Sequence, residues 1–339
     1  MPELAHPPGD HRRIAIGPSL RRAITLLVGC CMLVTSCAAR ADQPAPGLRI
    51  MVPTVAGGGY DVTARTAAVV AQRSGVAADR IPVFNVDGDG GAVALRRLIA
   101  ERGNGALAMM MGLGVVGATV TRPGSDPVTA ATPIARLIQE PQAVLVPARS
   151  PHRAIGELVA AWRADPSGVV VGGGSAPGGP DHLMSMQLAQ AAGIDPVQVR
   201  YQPFDGGGAL LPPLLDGRID VAVSSVVEYA AQIGSGQLRV LAVSGPTRLA
   251  GVDAPTLTEA GFDVVFTNWR GVLAPPGISD ADRDRLVLLL QRLEQTPEWN
   301  AAVRRFGWTN AFLPGDEFGA FLAEQDRDVR ATLARLNLR

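Results

Sequence analysis

Few side chains in this sequence are spaced for catalysis. Ser175 precedes His182 by seven residues, so the two could act as nucleophile and base in a hydrolase. The segment around Ser175, residues 173–177, lacks the G-x-S-x-G turn that positions a serine nucleophile. Asp181 and His182 more simply stabilise the start of the helix predicted there. We therefore expect no enzymatic activity, and a serine hydrolase using Ser175 and His182 is a less favoured alternative.

The composition excludes several cofactors and partners. All 31 basic residues among the 339 are arginine, so the chain has no lysine for a P-loop or a Schiff base. The 31 acidic residues give a formal net charge of zero, which creates no field that attracts nucleic acid. His152 and His182 lie too far apart in the sequence to match a metal-site spacing. We expect no cofactor, no bound metal and no nucleic-acid partner.

The N-terminal residues predict a targeting segment. An apolar run at residues 23–34 follows several arginines, and its 12 residues match a signal-peptide core but are too few to span a bilayer. All three cysteines lie in this segment: Cys30, Cys31 and Cys37. Residues 34–37 resemble a bacterial lipobox, so we expect a signal peptide at 1–36, a lipid on Cys37 and a flexible tether at 37–47. Cleavage near Ala41 without lipidation is the alternative.

From residue 48 onward, short apolar runs alternate with helical periodicity, and hydrophobic residues make up 47% of the chain. This alternation predicts parallel sheets covered by helices, in two successive series that fit a two-lobed molecule. The first series predicts strands at 48–53, 81–86 and 106–111 and helices at 61–73 and 91–102. The second predicts strands at 134–139, 143–147, 169–171, 197–201, 219–224 and 238–244 and helices at 150–163, 180–192 and 207–215. The last part predicts a strand at 270–274 and helices at 280–295, 297–306 and 316–336.

Four predicted strands run into glycine-rich turns that begin helices. These turns occupy residues 57–59, 88–91, 172–179 and 206–208. Glycine allows the backbone to approach a ligand closely, and the first N–H groups of a helix attract an anion by about 0.3–1 kcal/mol. Open α/β sheets bind ligands at the carboxyl ends of their strands. We therefore predict a cleft in which backbone groups, rather than cationic side chains, bind a carboxylate.

Motifs in order along residues 48–339 resemble the substrate receptors of the tripartite tricarboxylate transporter family, the Bug-type receptors. Residues 52–65 are similar to the family's first loop, V-P-F-x-P-G-G-x-x-D-x-x-A-R, and residues 172–183 to its segment G-S-x-G-x-G-S-x-x-H-L. Other similar segments are residues 85–92, 111–112, 132–135, 201–220, 236–243, 255–261 and 268–271.

The resemblance implies a two-lobed type II periplasmic-binding-protein fold in the α/β class. Each lobe would be a mostly parallel sheet flanked by helices, with the ligand cleft between the lobes. Lobe 1 would comprise residues 48–141 and 268–339, and lobe 2 residues 142–267.

The resemblance also implies which residues contact the ligand. In the family, backbone amides, hydroxyls and ordered water from two loops hold the carboxylate. The corresponding residues here are Gly58, Gly59, Tyr60 and Asp61 in the first loop, and Gly174, Ser175, Ala176 and His182 in lobe 2. At strand ends and in the third glycine turn we add Gly112, Gly207 and Ser224. Asp87 and Asp89 depart from the family pattern and, near the cleft, would repel a polyanion such as a tricarboxylate, which leaves room for a monocarboxylate or an amino acid.

The function implied by the resemblance is that of an extracytoplasmic, lipid-anchored, monomeric receptor. It would capture a small organic carboxylate and deliver it to a permease made of a large and a small membrane subunit and driven by an ion gradient. A receptor that feeds a sensor kinase or another class of transporter is the alternative.

Overall fold

The computed structural model describes residues 47–337. The predicted signal peptide, Cys37 and nearly all of the tether lie outside these residues. The strands are β1 (Arg49–Val52), β2 (Val83–Asn85), β3 (Leu107–Gly112), β4 (Thr132–Pro147), β5 (Val170–Gly173), β6 (Arg200–Pro203), β7 (Val221–Ser225), β8 (Leu238–Val243), β9 (Thr267–Ala274) and β10 (Thr309–Pro314). The helices are α1 (Gly59–Arg73), α2 (Ala92–Ala100), α3 (Leu113–Thr121), α4 (Ile155–Ala164), α5 (Pro180–Ala191), α6 (Gly207–Asp216), α7 (Ala230–Gly234), α8 (Asp280–Glu294), α9 (Pro297–Arg305) and α10 (Gly315–Arg335). In this described range, no helix combines the length and apolar character needed to cross a membrane.

The first sheet has the strand order β2-β1-β3-β9-β4, with β10 added beside β4. β1 pairs in parallel with β2 and β3, whereas β9 is antiparallel to both β3 and β4. Because side chains alternate across a strand, Ile50 and Val52 pack against α1 and α8 on one face. Met51 points to the other face, in the cluster formed with α2 and α10. Burial on both faces explains why residues 50–52 of β1 and nearly all of β3 are apolar.

The second sheet has the order β4-β7-β5-β6, with β8 also paired to β4. β5 pairs in parallel with β6 and β7, and each is followed by a glycine-rich or polar turn. The carboxyl ends of β5 and β7 therefore lie at the same edge of this sheet. Leu210, Leu214 and Ile219 pack beneath it in a separate apolar cluster.

β4 belongs to both sheets. It pairs with β9 as far as Pro141, opposite Thr267, and with β7 from Gln142 onward, opposite Ser225. The returning chain lies beside this point, because the Ser244 hydroxyl accepts a hydrogen bond from the Gln142 N–H at 2.8 Å and donates to a carbonyl next to β9 at 2.7 Å. The two sheets are thus connected side by side at one position along β4.

The structure differs from the predicted elements at β4, α3, α7 and β10, of which α7 is a five-residue helix that was not predicted. The predicted strands at 134–139 and 143–147 are one continuous strand, β4, because Glu140 and Pro141 sit where it changes partners rather than in a turn. The sequence analysis missed α3, whose residues are apolar around nearly the whole helix and buried, so that it shows no amphipathic pattern. It also missed β10, which adds an antiparallel edge beside β4.

Candidate functional site

A cavity of about 360 Å³ lies between residues of the two sheets. The loop from β1 into α1, the start of α3, and parts of β4 and β9 form the wall on the first sheet. The turns after β5, β6 and β7 form the wall on the second sheet. Seven of the residues expected at the ligand line this cavity: Gly58, Gly59, Tyr60, Gly174, Ser175, Ala176 and Ser224.

Helices α1, α3, α5 and α6 all begin beside the cavity, and each begins after a glycine that provides no side-chain cap. The first N–H groups of such helices lack intrahelical partners and carry partial positive charge. A bulkier residue at Gly59 would collide with the Arg270 guanidinium, which packs across the start of α1. Three of these helices, α1, α5 and α6, follow predicted glycine-rich turns, whereas α3 was not predicted; the remaining predicted turn, at residues 88–91, contributes Asp89 and Gly90 to the cavity wall.

Some of these amides already interact with carboxylates of the chain itself. The backbone N–H groups of Gly59 and Gly207 lie near Glu228 and lower its pKa. Although Glu228 remains accessible from the cavity, the surrounding protein raises its pKa, Glu140 raises it further, and the net pKa lies above the usual value. Two of the N–H groups that we expected to bind a ligand anion are therefore directed at Glu228.

Asp181 in the first turn of α5 has a similar environment. It is 6% exposed, and its burial raises its pKa well above the usual range, with further contributions from Glu228 and Glu140. Hydrogen bonds from the Gly174 backbone and the Ser175 side chain offset part of this effect. Asp181 thus lines the cavity as a buried acid whose ionised form is disfavoured.

A buried ion pair crosses the cavity floor where β4 meets β9. Arg270 pairs with Glu140, and their side chains are 4% and 3% exposed. Arg270 also donates to the Thr63 hydroxyl in α1 at 3.0 Å, and Ser225 donates to the second oxygen of Glu140 at 3.0 Å. This network joins α1, both crossing strands and β7. Two cationic side chains, Arg270 and Arg122, line the cavity, and each is paired with an acid of the chain; the prediction that backbone groups bind the carboxylate stays a prediction.

Tyr60 connects α1 to α3 at the cavity wall. Its hydroxyl accepts a hydrogen bond from the Gly114 N–H at 3.1 Å, and burial raises its pKa to about 12. Gly112 lies behind this ring rather than in the cavity wall. A side chain at Gly112 would meet the Trp269 carbonyl and the Tyr60 ring, so the residue permits close packing.

Asp61, His182 and Gly207 also lie outside the cavity wall. Asp61 is 4% exposed; burial alone would raise its pKa, but hydrogen bonds from Arg65, Gly57 and Asn85 outweigh that effect and lower it. It therefore fixes the loop before α1. Gly207 leaves room for Glu228, and its backbone N–H lies near that side chain.

His182 is buried and neutral at physiological pH. Burial lowers its pKa to about 4, and its Nδ1 accepts a hydrogen bond from the Gly178 N–H at 3.2 Å. The Ser175 hydroxyl instead accepts from the Asp181 N–H at 3.2 Å. Among the hydrogen bonds of residues 47–337, none joins Ser175 to His182. The pair considered for a hydrolase is not assembled as nucleophile and base.

At the cavity mouth, Asp89 pairs with Arg122 at 2.6 Å. The expectation that Asp89 lies near the cleft is correct, but its charge is matched by this arginine. Asp87 is exposed and does not line the cavity.

The acids that face the interior are Glu140, Asp181 and Glu228, which sequence reasoning did not assign to the site. The sequence could have indicated Glu140 and Arg270, because each is a charged residue within a strand that is otherwise largely buried.

Comparison with known proteins agrees with the family resemblance and the fold expected from the sequence. Residues 79–338 match the family model described as the tripartite tricarboxylate transporter family receptor. A UPF0065 protein from the gbd 5' region of Cupriavidus necator is 26% identical over 305 residues, which cover 88% of this chain and 90% of that protein. The periplasmic binding protein BugD has the same fold, with a TM-score of 0.76 at 22% identity, covering 88% of this chain and 99% of BugD. An R. palustris protein solved with adipate gives a TM-score of 0.78 at 20% identity, covering 87% of this chain and 99% of that one. The fold is therefore the two-lobed type II fold of periplasmic binding proteins.

Proposed function

Because the chain belongs to the tripartite tricarboxylate transporter receptor family, we propose that it captures a small organic carboxylate and delivers it to the membrane permease of such a transporter. The observation that carries this proposal is the cavity between the two sheets, beside which four glycine-started helices begin. Adipate in the R. palustris structure is a ligand of the proposed chemical class. Tyr60 and Ser224 supply hydroxyl groups, and Arg122 supplies a cation at the mouth.

The proposed lobes are residues 48–141 with 268–339, and residues 142–267. They would close around the ligand by bending where β4 passes from one sheet to the other. The change of pairing partner between Pro141 and Gln142 supports this position. The Ser244 hydroxyl makes two hydrogen bonds beside this position of β4, which supports a second point nearby where the chain passes between the lobes. Closure would couple ligand binding to recognition by the permease.

The membrane side of the function is also part of the proposal. Residues 1–36 would direct export, and a lipid on Cys37 would hold the monomeric receptor at the membrane through the tether at 37–47. The partner would be the large and small permease subunits, driven by an ion gradient. The periplasmic relative BugD supports an extracytoplasmic location.

A thermal-shift screen tests ligand capture. Dicarboxylates, tricarboxylates, aromatic acids and amino acids would be added to the purified chain. A ligand at about 100 times its Kd stabilises by about 2.7 kcal/mol, or roughly 5 °C for a protein of this size. Absence of any shift with the whole panel would contradict the proposal.

Variants locate the site for the ligand found in that screen. Gly59→Val should weaken binding because the added side chain collides with Arg270, and Ser175→Ala should weaken it by removing a hydroxyl from the wall. Gly156→Val is the matched control, since a Cβ there meets no atom within 4 Å and the residue lies in α4. Titration calorimetry showing wild-type affinity in both site variants would contradict the assignment.

A further inference from the structure

Acidic side chains outnumber basic ones in the cavity wall. The acids are Asp89, Glu140, Asp181, Asp205 and Glu228, and the bases are Arg122 and Arg270. Each base is already paired, Arg122 with Asp89 and Arg270 with Glu140. Among the salt bridges formed by residues 47–337, none includes Asp181 or Glu228. The interior of the cavity therefore holds two acids that form no salt bridge, although Arg270, which is paired with Glu140, lowers the pKa of Glu228 in part.

Nearby carboxylates raise the pKa of both acids. Glu228 raises the pKa of Asp181, after burial, and Glu140 raises the pKa of both. Like charges held this close in a protein disfavour ionisation, and a cation placed beside them would relieve the repulsion. A ligand carboxylate placed beside these two acids would instead increase the repulsion. The backbone N–H groups of Gly59 and Gly207, which could have bound that carboxylate, already lie beside Glu228 and lower its pKa.

Two carboxamides in the same wall provide an independent observation. Gln142 is 1% exposed and Asn268 is 7% exposed, and both line the cavity. The side-chain oxygen of each is buried without a hydrogen-bond donor. A buried acceptor left without a partner is destabilising, so both oxygens favour a ligand that brings N–H groups.

We propose that the ligand carries a protonated amine as well as its carboxylate, and that Asp181 and Glu228 bind the amine. This inference rests on the proposed function, to which it adds the chemical class of the ligand: an amino-substituted carboxylate. Gln142 and Asn268 accept additional hydrogen bonds from the amine or its neighbours. The ligand carboxylate binds the donors that remain, among them the Tyr60 hydroxyl in the wall.

A metal ion is a poorer occupant of the acidic region. Across the described residues, no group of three His, Cys, Asp or Glu side chains is arranged to hold a metal. An ammonium group needs only two or three acceptors and accepts irregular geometry. The acceptors around Asp181 and Glu228 meet that requirement.

Three compounds of equal carbon number separate the possibilities: adipate, 6-aminohexanoate and 1,6-diaminohexane. The corresponding four- and five-carbon sets and the α-amino acids glutamate and 2-aminoadipate complete the panel. Titration calorimetry should show that an amino-carboxylate binds at least about tenfold more tightly than the diacid and the diamine of its set. A diacid that binds as tightly or more tightly overturns the inference and leaves the proposed function standing. Binding by none of the carboxylates, or by the diamine alone, overturns the proposed function and the inference with it.

Isosteric variants then test the two acids. Glu228→Gln and Asp181→Asn should each lower the affinity for the amino-carboxylate at least about tenfold, while the affinity for the diacid stays equal or rises. Asp87→Asn is the control, because this exposed residue does not line the cavity and should leave both affinities unchanged. Circular dichroism melts establish that each variant is folded. Equal losses for the amino-carboxylate and the diacid, or stabilisation of the wild type by Ca²⁺ or Mg²⁺ in place of the amine, would overturn the assignment.

Discussion

The ion pair between Glu140 and Arg270 gives the sharpest prediction about stability. Both side chains are at most 4% exposed, so solvent does not screen them. Removing one partner from a buried pair costs about 3–5 kcal/mol, because the remaining charge is left uncompensated. Glu140→Gln also relieves repulsion with Glu228 and Asp181, so we expect the lower end, about 3 kcal/mol.

Urea unfolding followed by circular dichroism measures this loss. The double variant Glu140→Gln/Arg270→Met removes both charges and should recover most of the stability, to within about 1–2 kcal/mol of wild type. Glu259→Gln is the control, since its pairing with Arg248 lies on the surface and should contribute nothing measurable. A Glu140→Gln midpoint equal to that of wild type would refute the reasoning, and so would a double variant whose loss is the sum of the two single losses.

Three further variants test other parts of the account. Asp181→Asn should raise the free energy of unfolding near pH 8 more than near pH 4.5, because the raised pKa of Asp181 means that ionisation above its usual pKa costs the folded state; equal effects at both pH values in urea unfolding would contradict this. Gly112→Ala should lower the melting temperature because the added Cβ collides with the Trp269 carbonyl, whereas Gly156→Ala in α4 should not lower it. Similar melting temperatures for the two variants would contradict this expectation. Ser244→Ala should cost about 1–3 kcal/mol in urea unfolding by removing two buried hydrogen bonds, and no change would exclude that role.

Much of the fold was predictable because its signals are local. A run of apolar residues followed by glycines and a helical pattern predicted α1, α5 and α6 with starts within two residues of those observed. The continuity of β4 was not predictable, because Pro141 reads locally as an interruption. Only the pairing of β4 with two different sheets shows why the strand continues there.

The site was predictable where the backbone forms it and not where side chains meet from distant segments. The turns at Gly58–Tyr60 and Gly174–Ala176 carry their own signal, and both line the cavity. Glu140, Glu228 and Arg270 are separated by between 42 and 130 residues and come together only because β4, β7 and β9 lie side by side. Their charges make the cavity more acidic than the neutral composition of the chain suggests.

A crystal structure with the carboxylate that gives the largest thermal shift tests the central claim most directly. The account predicts the ligand inside the cavity between the two sheets. Its carboxylate should lie within hydrogen-bond distance of the wall formed by Gly58–Tyr60 and Gly174–Ala176. Ligand density found only on the outer surface, with none in this cavity, would contradict it.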